Sequence, residues 1–263
     1  MNSRTKLLEE RNEAERELLA GLQDRPYYDA KQDSQRKEDY YGGISFEGDN
    51  LFNHLNVLLN DTHEKKLEYA PHRYIYPWVD LHENGKLRSL YSGIKMEPLE
   101  AIDQDYQMLI SDNFITFSIG KPLNCEHVVP QSWFRHEEPM KGDLHHLFSC
   151  EPSCNSRRGN SPYYDFTDYV PEVSGIKDGC GKAVEGKFEP EYGKGIVARA
   201  TLYFLIKYKN AIDMGNIDMP ILLQWHKAFP VSIYEKHRNA AIQDLQGNRN
   251  PLIDFPDISI LLF

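Results

Sequence analysis

The stretch from Gly193 to Tyr208 carries Ile196, Val197, Ala198, Ala200, Leu202, Tyr203, Phe204, Leu205 and Ile206, apolar on nearly every side of one helical span. A helix without a polar face must be enclosed, so the rest of the chain has to be wrapped around it. At 263 residues the chain is near the upper size for a single hydrophobic core. With 40% hydrophobic and 27% charged residues its composition is that of an ordinary globular protein. One compact domain with an N-terminal extension is the expectation, divided at 1–48 and 49–263.

Other elements follow from local pattern. Residues 4–22 form a helix with a loose apolar stripe (Leu7, Leu8, Ala14, Leu18, Leu19 and Leu22), solvated on one side and docked on the body. The polar run 24–50, with its tyrosine pairs and Gly42-Gly43, reads as a loop-rich connection without chemistry. A short helix covers 51–59. Tyr74-Ile75-Tyr76 and residues 87–91 flank Glu83-Asn84-Gly85, which predicts a β-hairpin. Residues 114–118 predict another strand. Ser232 to Glu235 is a capping-box pattern and Gly247 a helix stop, with Lys236, His237 and Arg238 facing solvent or substrate. Strands early and helices late imply an α+β fold.

The formal net charge of −10 argues against a protein that holds nucleic acid tightly and stoichiometrically. It weighs less against an enzyme that must release its substrate, because a bound cation can dominate the local field. No apolar run is long enough to span a membrane. The charged start lacks a hydrophobic leader, so a cytoplasmic location is expected, an exported form being the alternative.

Residues 124–160 are rich in catalytic side chains: NCEHVVPQSWF, then GDLHHLFSCEPSCNSRRGN. Phosphodiester hydrolysis needs an activated water, charge neutralisation at phosphorus and a protonated leaving oxygen. A neutral imidazole such as His127 can take the water's proton near neutral pH. A hard divalent cation on carboxylate and amide oxygens can bind a phosphoryl oxygen. Adjacent Glu126 and His127 would point to opposite faces of a strand, and can serve one centre only at a strand end, where Pro130 soon interrupts pairing. Each residue also has a structural reading: a buried hydrogen-bonded pair, packed histidines, a solvated Arg157-Arg158 turn.

These motifs together resemble the endonuclease I family of ββα-metal-finger (His-Me) nucleases. The residues that carry the likeness are Glu126 to Trp133, Asp143 to Leu147, Asn155 to Asn160, and a tail of Trp225-His226, Pro230-Val231, Arg238-Asn239 and Gln246 to Asp254. The resemblance covers roughly residues 50–257 and implies a metal finger embedded in a mostly helical domain with a small antiparallel sheet. It implies His127 as general base, with Glu126 and Asn155 holding magnesium, or calcium or manganese in its place. Arg158 is expected to contact phosphate or brace the site, and Arg135, with Lys141 as substitute, to meet the transition state. Asp143, His145 and Asn160 are expected to support the site from behind. The tail is read as a helix stop that pins the C-terminus; were it functional, Arg249 would line a phosphate path.

Cys125, Cys150, Cys154 and Cys180 lie in or just after this segment. Structural zinc on all four is the favoured reading, with two disulfides in an exported protein, or buried thiols, as alternatives. The function expected is endonucleolytic cleavage of DNA, with RNA as a further substrate class and little sequence preference, no base-reading module being evident. Two other classes compete. One is an inactive nucleic-acid-binding protein on the same scaffold; the other is a zinc hydrolase of small substrates using Asp143, His145, His146 and His127.

Overall fold

The computed structural model describes residues 3–110, 124–169 and 179–263. In chain order the elements are α1 (Ser3–Asp24), α2 (Ala30–Tyr41), α3 (Leu51–Asp61), α4 (Pro71–Tyr74) running into a π-helical turn (Ile75–Val79), β1 (Leu87–Arg88), β2 (Lys95–Met96) and α5 (Pro98–Ile110). There follow β3 (Asn124–His127), three 3₁₀ turns, β4 (Leu147–Cys150), α6 (Pro152–Arg158), β5 (Gly181–Val184) and β6 (Lys187–Pro190). The chain closes with α7 (Lys194–Lys207), α8 (Met219–Ala228), α9 (Ile233–Gln246), α10 (Pro251–Asp254) and α11 (Ser259–Leu262). Among the described residues the strands form three separate antiparallel pairs, β1–β2, β3–β4 and β5–β6, in an otherwise helical body. This is the α+β fold expected.

Every residue of α7 is buried, including Lys194, Arg199 and Lys207. Its charged groups are partnered in place: Lys194 pairs with Asp165 and Glu189, Arg199 pairs with Glu235, and Lys207 Nζ donates to the Leu59 carbonyl. Around it a first apolar cluster gathers α3, α8, α10 and one face of β4. A second joins α1, the π-helical turn, α5 and part of α9. The β3–β4 hairpin lies between them, with Phe148 and Cys150 in the first and Cys125 and Leu147 in the second. That placement fixes the hairpin from both sides.

The capping box at Ser232 and Glu235 is present, and Gly247 ends α9 at φ +99°. A side chain at Gly247 would meet the Thr62 carbonyl, and the positive φ is costly for any other residue. Three local expectations fail. The 24–50 connection contains α2, capped by Asp29, whose carboxylate accepts from Lys31 and Gln32. Its stability comes from contacts with the body, including Asp33 against Arg249, rather than from an apolar stripe. The predicted 74–91 hairpin is not formed: residues 71–79 are helical, and β1 pairs with β2. Burial of Ile75, Tyr76 and Val79 outweighs their β-propensity. The Asn84-Gly85 turn survives alone, with Gly85 N bonded to His82 O. Finally, His237 and Arg238 are buried; His237 meets the carbonyls of Tyr27 and Trp78, and Arg238 meets Asp80 and the carbonyls of Leu144 and Leu147. The strand predicted at 114–118 lies outside the described residues. No described helix is long and apolar enough to cross a membrane.

Candidate active site

Strand β3, strand β4 and helix α6 form a compact ββα unit, with His127 opposite Leu147 and Glu126 opposite Phe148. Alternation sends the two candidate side chains to opposite faces. Glu126 shares its face with Phe148 and Cys150, while His127 shares the other with Cys125 and Leu147. His127 is the last residue of β3, so the pair sits at a strand end, the one setting in which neighbours of this kind can approach a common point.

Glu126 is buried among groups far apart in sequence. Its Oε1 accepts from the Tyr91 hydroxyl at 2.6 Å and from Arg158 Nη1 at 3.1 Å. Oε2 takes no hydrogen bond from a described residue. Burial pushes the carboxyl up to about 7, against the opposing pull of Arg158 and Tyr91. Arg158 is 1% exposed and also donates to the carbonyls of His127, Val128 and Gly159. These bonds tie α6 to the end of β3, the bracing arrangement that was one of the two expected of Arg158. Asn155 lies one turn earlier on the same face of α6, half-buried, with no hydrogen bond from its side chain to a described residue.

On the other face, His127 Nε2 lies 2.9 Å from the Lys141 carbonyl and Nδ1 lies 3.2 Å from Gln131 Nε2. The ring stacks on Tyr69 at 5.1 Å between centroids and meets His146 edge-on at 5.4 Å. Burial lowers its pKa to about 3, so the imidazole is neutral at physiological pH. The loop between the strands is held down by Val129, Phe134 and Met140, which pack with Phe204 and Leu205 of α7. The enclosed helix thus positions His127.

Asp143 accepts from Tyr203 and Tyr208 through Oδ2, and from Gln246 and the His145 amide through Oδ1. Burial opposes its ionisation, but His145, His63 and Lys207 hold it well below the usual carboxylate range. His145 and His146 contact the carbonyls of Asn248 and Met140. These residues are committed to the scaffold, and among the described residues no three metal-ligating side chains come together. The zinc-hydrolase constellation is not assembled. Arg135 is exposed on a left-handed turn after residues 131–134 and forms no ion pair with a described residue. Asn160 is exposed just past α6, with no hydrogen bond from its side chain to a described residue. Arg249 is buried on Asp254, Asp33 and Gln243, its donors taken up within the fold.

The four-cysteine zinc site does not form. Cys154 and Cys180 are joined as a disulfide, which ties α6, next to Asn155, to the start of β5. Cys125 and Cys150 are buried free thiols on opposite faces of the hairpin. A disulfide leaves no thiolate on two of the four sulfurs, and the other two cannot converge. Sequence reading missed Tyr91, Tyr163 and Tyr69. Tyr163 lies 2.8 Å from Tyr91, and the Arg158 guanidinium sits 4.9 Å above its ring. Nothing local marks them, since each reaches the site only through the tertiary fold.

The model of the family described as Endonuclease I matches residues 48–257. The chain is similar to an extracellular ribonuclease of Bacillus amyloliquefaciens, 32% identical over 44% of this chain and 44% of the relative. It is similar to a periplasmic deoxyribonuclease of Aeromonas hydrophila at 29% identity, over 50% of this chain and 63% of the relative. An Endonuclease-1 of Buchnera aphidicola is 26% identical, over 50% and 59%. The chain spans about half the length of the curated relatives it matches.

Proposed function

The chain belongs to the endonuclease I family, and on that premise we propose that it is a divalent-cation-dependent endonuclease with His127 as general base. Its substrate in this reading is DNA, with RNA as a second class, since relatives carry both deoxyribonuclease and ribonuclease names. The observation that carries the proposal is the pinned imidazole. A carbonyl only accepts, so Nε2 must donate to Lys141 and the lone pair of the neutral ring stands on Nδ1. A water at that edge gives its proton to Nδ1 as its oxygen bonds phosphorus and the bond to the leaving oxygen breaks.

Glu126 and Asn155 fit a hard cation. They offer carboxylate and amide oxygen, Oε2 is unused by described donors, and the carboxyl raised to about 7 is one whose burial is under-compensated by positive charge. When bound there, magnesium, or calcium or manganese, supplies charge neutralisation at the phosphoryl group and leaving oxygen. Tyr91 and Arg158 keep Glu126 aimed, and exposed Arg135 is assigned to the incoming phosphate. We read residues 49–263 as the catalytic unit and 1–48 as a brace packed on it.

In place of the cytoplasmic expectation, an exported protein is the better reading. The disulfide suits an oxidising compartment, and the relatives named are extracellular or periplasmic. The test is nicking of supercoiled plasmid by wild type and His127→Ala, with magnesium and with chelator. Wild type should nick only with the cation, and the folded variant should lose on the order of 100-fold or more in rate. A wild type inert on DNA and RNA with every divalent ion would favour the binding-protein alternative.

A further inference from the structure

We propose that Gln131, its amide aligned by His136, is a positioning residue that holds the attacking water on the Nδ1 edge of His127. The proposal rests on the assignment of His127 as base. It starts from one acceptor. The Lys141 carbonyl makes Nε2 of His127 the donor and leaves the lone pair on Nδ1. Gln131 Nε2, 3.2 Å from Nδ1, must then be the amide's NH₂ end, with Oε1 turned the other way. Oε1 stands 3.1 Å from Nδ1 of His136, which donates to it. For a neutral His127 ring, every polarity in this chain follows from the carbonyl at its end.

The backbone supports the same arrangement. Arg135 and His136 both adopt φ +57°, and two consecutive non-glycine residues in the left-handed region cost about 1–3 kcal/mol each. That turn bonds the His136 amide to the Gln131 carbonyl at 2.9 Å and folds the imidazole back over the Gln131 side chain. Gln131 is half-buried and His136 exposed, so the amide stands where the buried base meets solvent.

In the resting site the amide occupies the atom that must receive the proton. A contact of 3.2 Å is long for an N–H hydrogen bond and is readily exchanged for a water. The water then accepts from the Gln131 N–H, gives one hydrogen to Nδ1, and keeps its remaining lone pair for phosphorus. Orientation of this kind acts on the rate rather than on substrate affinity.

The test compares kcat and KM for a fluorescent duplex oligonucleotide, with magnesium, across the full-length wild type, Gln131→Met, His136→Ala and the double variant, alongside thermal melts. Gln131→Met keeps side-chain length and removes the amide. It should lose on the order of 10- to 100-fold in kcat, with KM and melting temperature near wild type. His136→Ala should lose less. The double variant should be no worse than Gln131→Met, because His136 acts through Gln131. Unchanged kcat in Gln131→Met, losses that multiply in the double variant, or an effect confined to KM would overturn the proposal while leaving an active wild type as evidence for the nuclease reading. An inactive wild type would overturn that reading, and this proposal with it.

Discussion

Replacing Arg249 with Met asks whether the tail motif grips nucleic acid or holds the fold. The guanidinium is fully buried and bidentate on Asp254, at 2.8 Å from Nε and 2.7 Å from Nη2, with further bonds to Asp33 at 2.9 Å and Gln243 at 2.8 Å. Both carboxylates are themselves nearly inaccessible, with side-chain exposures of 4% and 3%. Methionine fills most of the volume but leaves Asp254 without its cation and Asp33 with only Lys37, at 4.0 Å. Breaking a buried pair in this way costs about 3–5 kcal/mol. A chain of this size loses roughly 2–4 °C of melting temperature per kcal/mol, so a drop of roughly 6–20 °C is expected. Because Asp33 belongs to α2, part of the loss should appear as earlier protection loss of α2 in hydrogen exchange. The assay is a thermal melt followed by circular dichroism, with cleavage kinetics at 20 °C. Once corrected for folded fraction, kcat and KM should match wild type. A melt within about 2 °C of wild type, combined with a raised KM and a salt dependence weaker by about one phosphate contact, would refute the burial argument and make Arg249 part of the substrate path.

Two further outcomes follow from the site and from the buried histidines. Tyr91→Phe removes the 2.6 Å donor to Glu126 and should destabilise the fold by about 1–3 kcal/mol. The bond favours the ionised carboxyl, so its loss should raise several-fold the magnesium concentration giving half-maximal cleavage while the rate at saturating magnesium changes little; an unchanged magnesium requirement would remove Tyr91 from the site. Stability should fall as pH drops from about 6.5 towards 4. Burial lowers His145 to about 4, against the pull of Asp143, and burial aided by Arg88 lowers His82 to about 4. Both are neutral when folded and protonate in the unfolded chain, which therefore binds more protons in that window. Each contributes at most about 1.4 kcal/mol per pH unit. Urea midpoints identical at pH 7 and 4.5 would contradict this.

Where pattern is local, the sequence was enough. The enclosed helix at 194–207, the capped helix ending at Gly247 and the helix of α1 are each written in residues a few positions apart, because periodicity and capping are properties of neighbouring backbone. The candidate residues were legible too, as types: Glu126, His127 and Asn155 are the side chains that such chemistry needs. Their arrangement was not. Glu126 depends on Tyr91, 35 residues away, and the tail motif on Asp33, 216 residues from Arg249. The segment 74–79 has strand-forming residues and is helical because burying Ile75, Tyr76 and Val79 against α1 and α5 is worth more than their local preference. The cysteines show the same division. Their spacing is equally compatible with zinc and with disulfides, and only the packing of α6 on β5 brings Cys154 to Cys180 while β-strand alternation turns Cys125 and Cys150 apart. Sequence determined which backbone segments form and which chemistry is on offer; the packed structure decided which groups meet, because burial and charge pairing act between residues that chain order leaves distant.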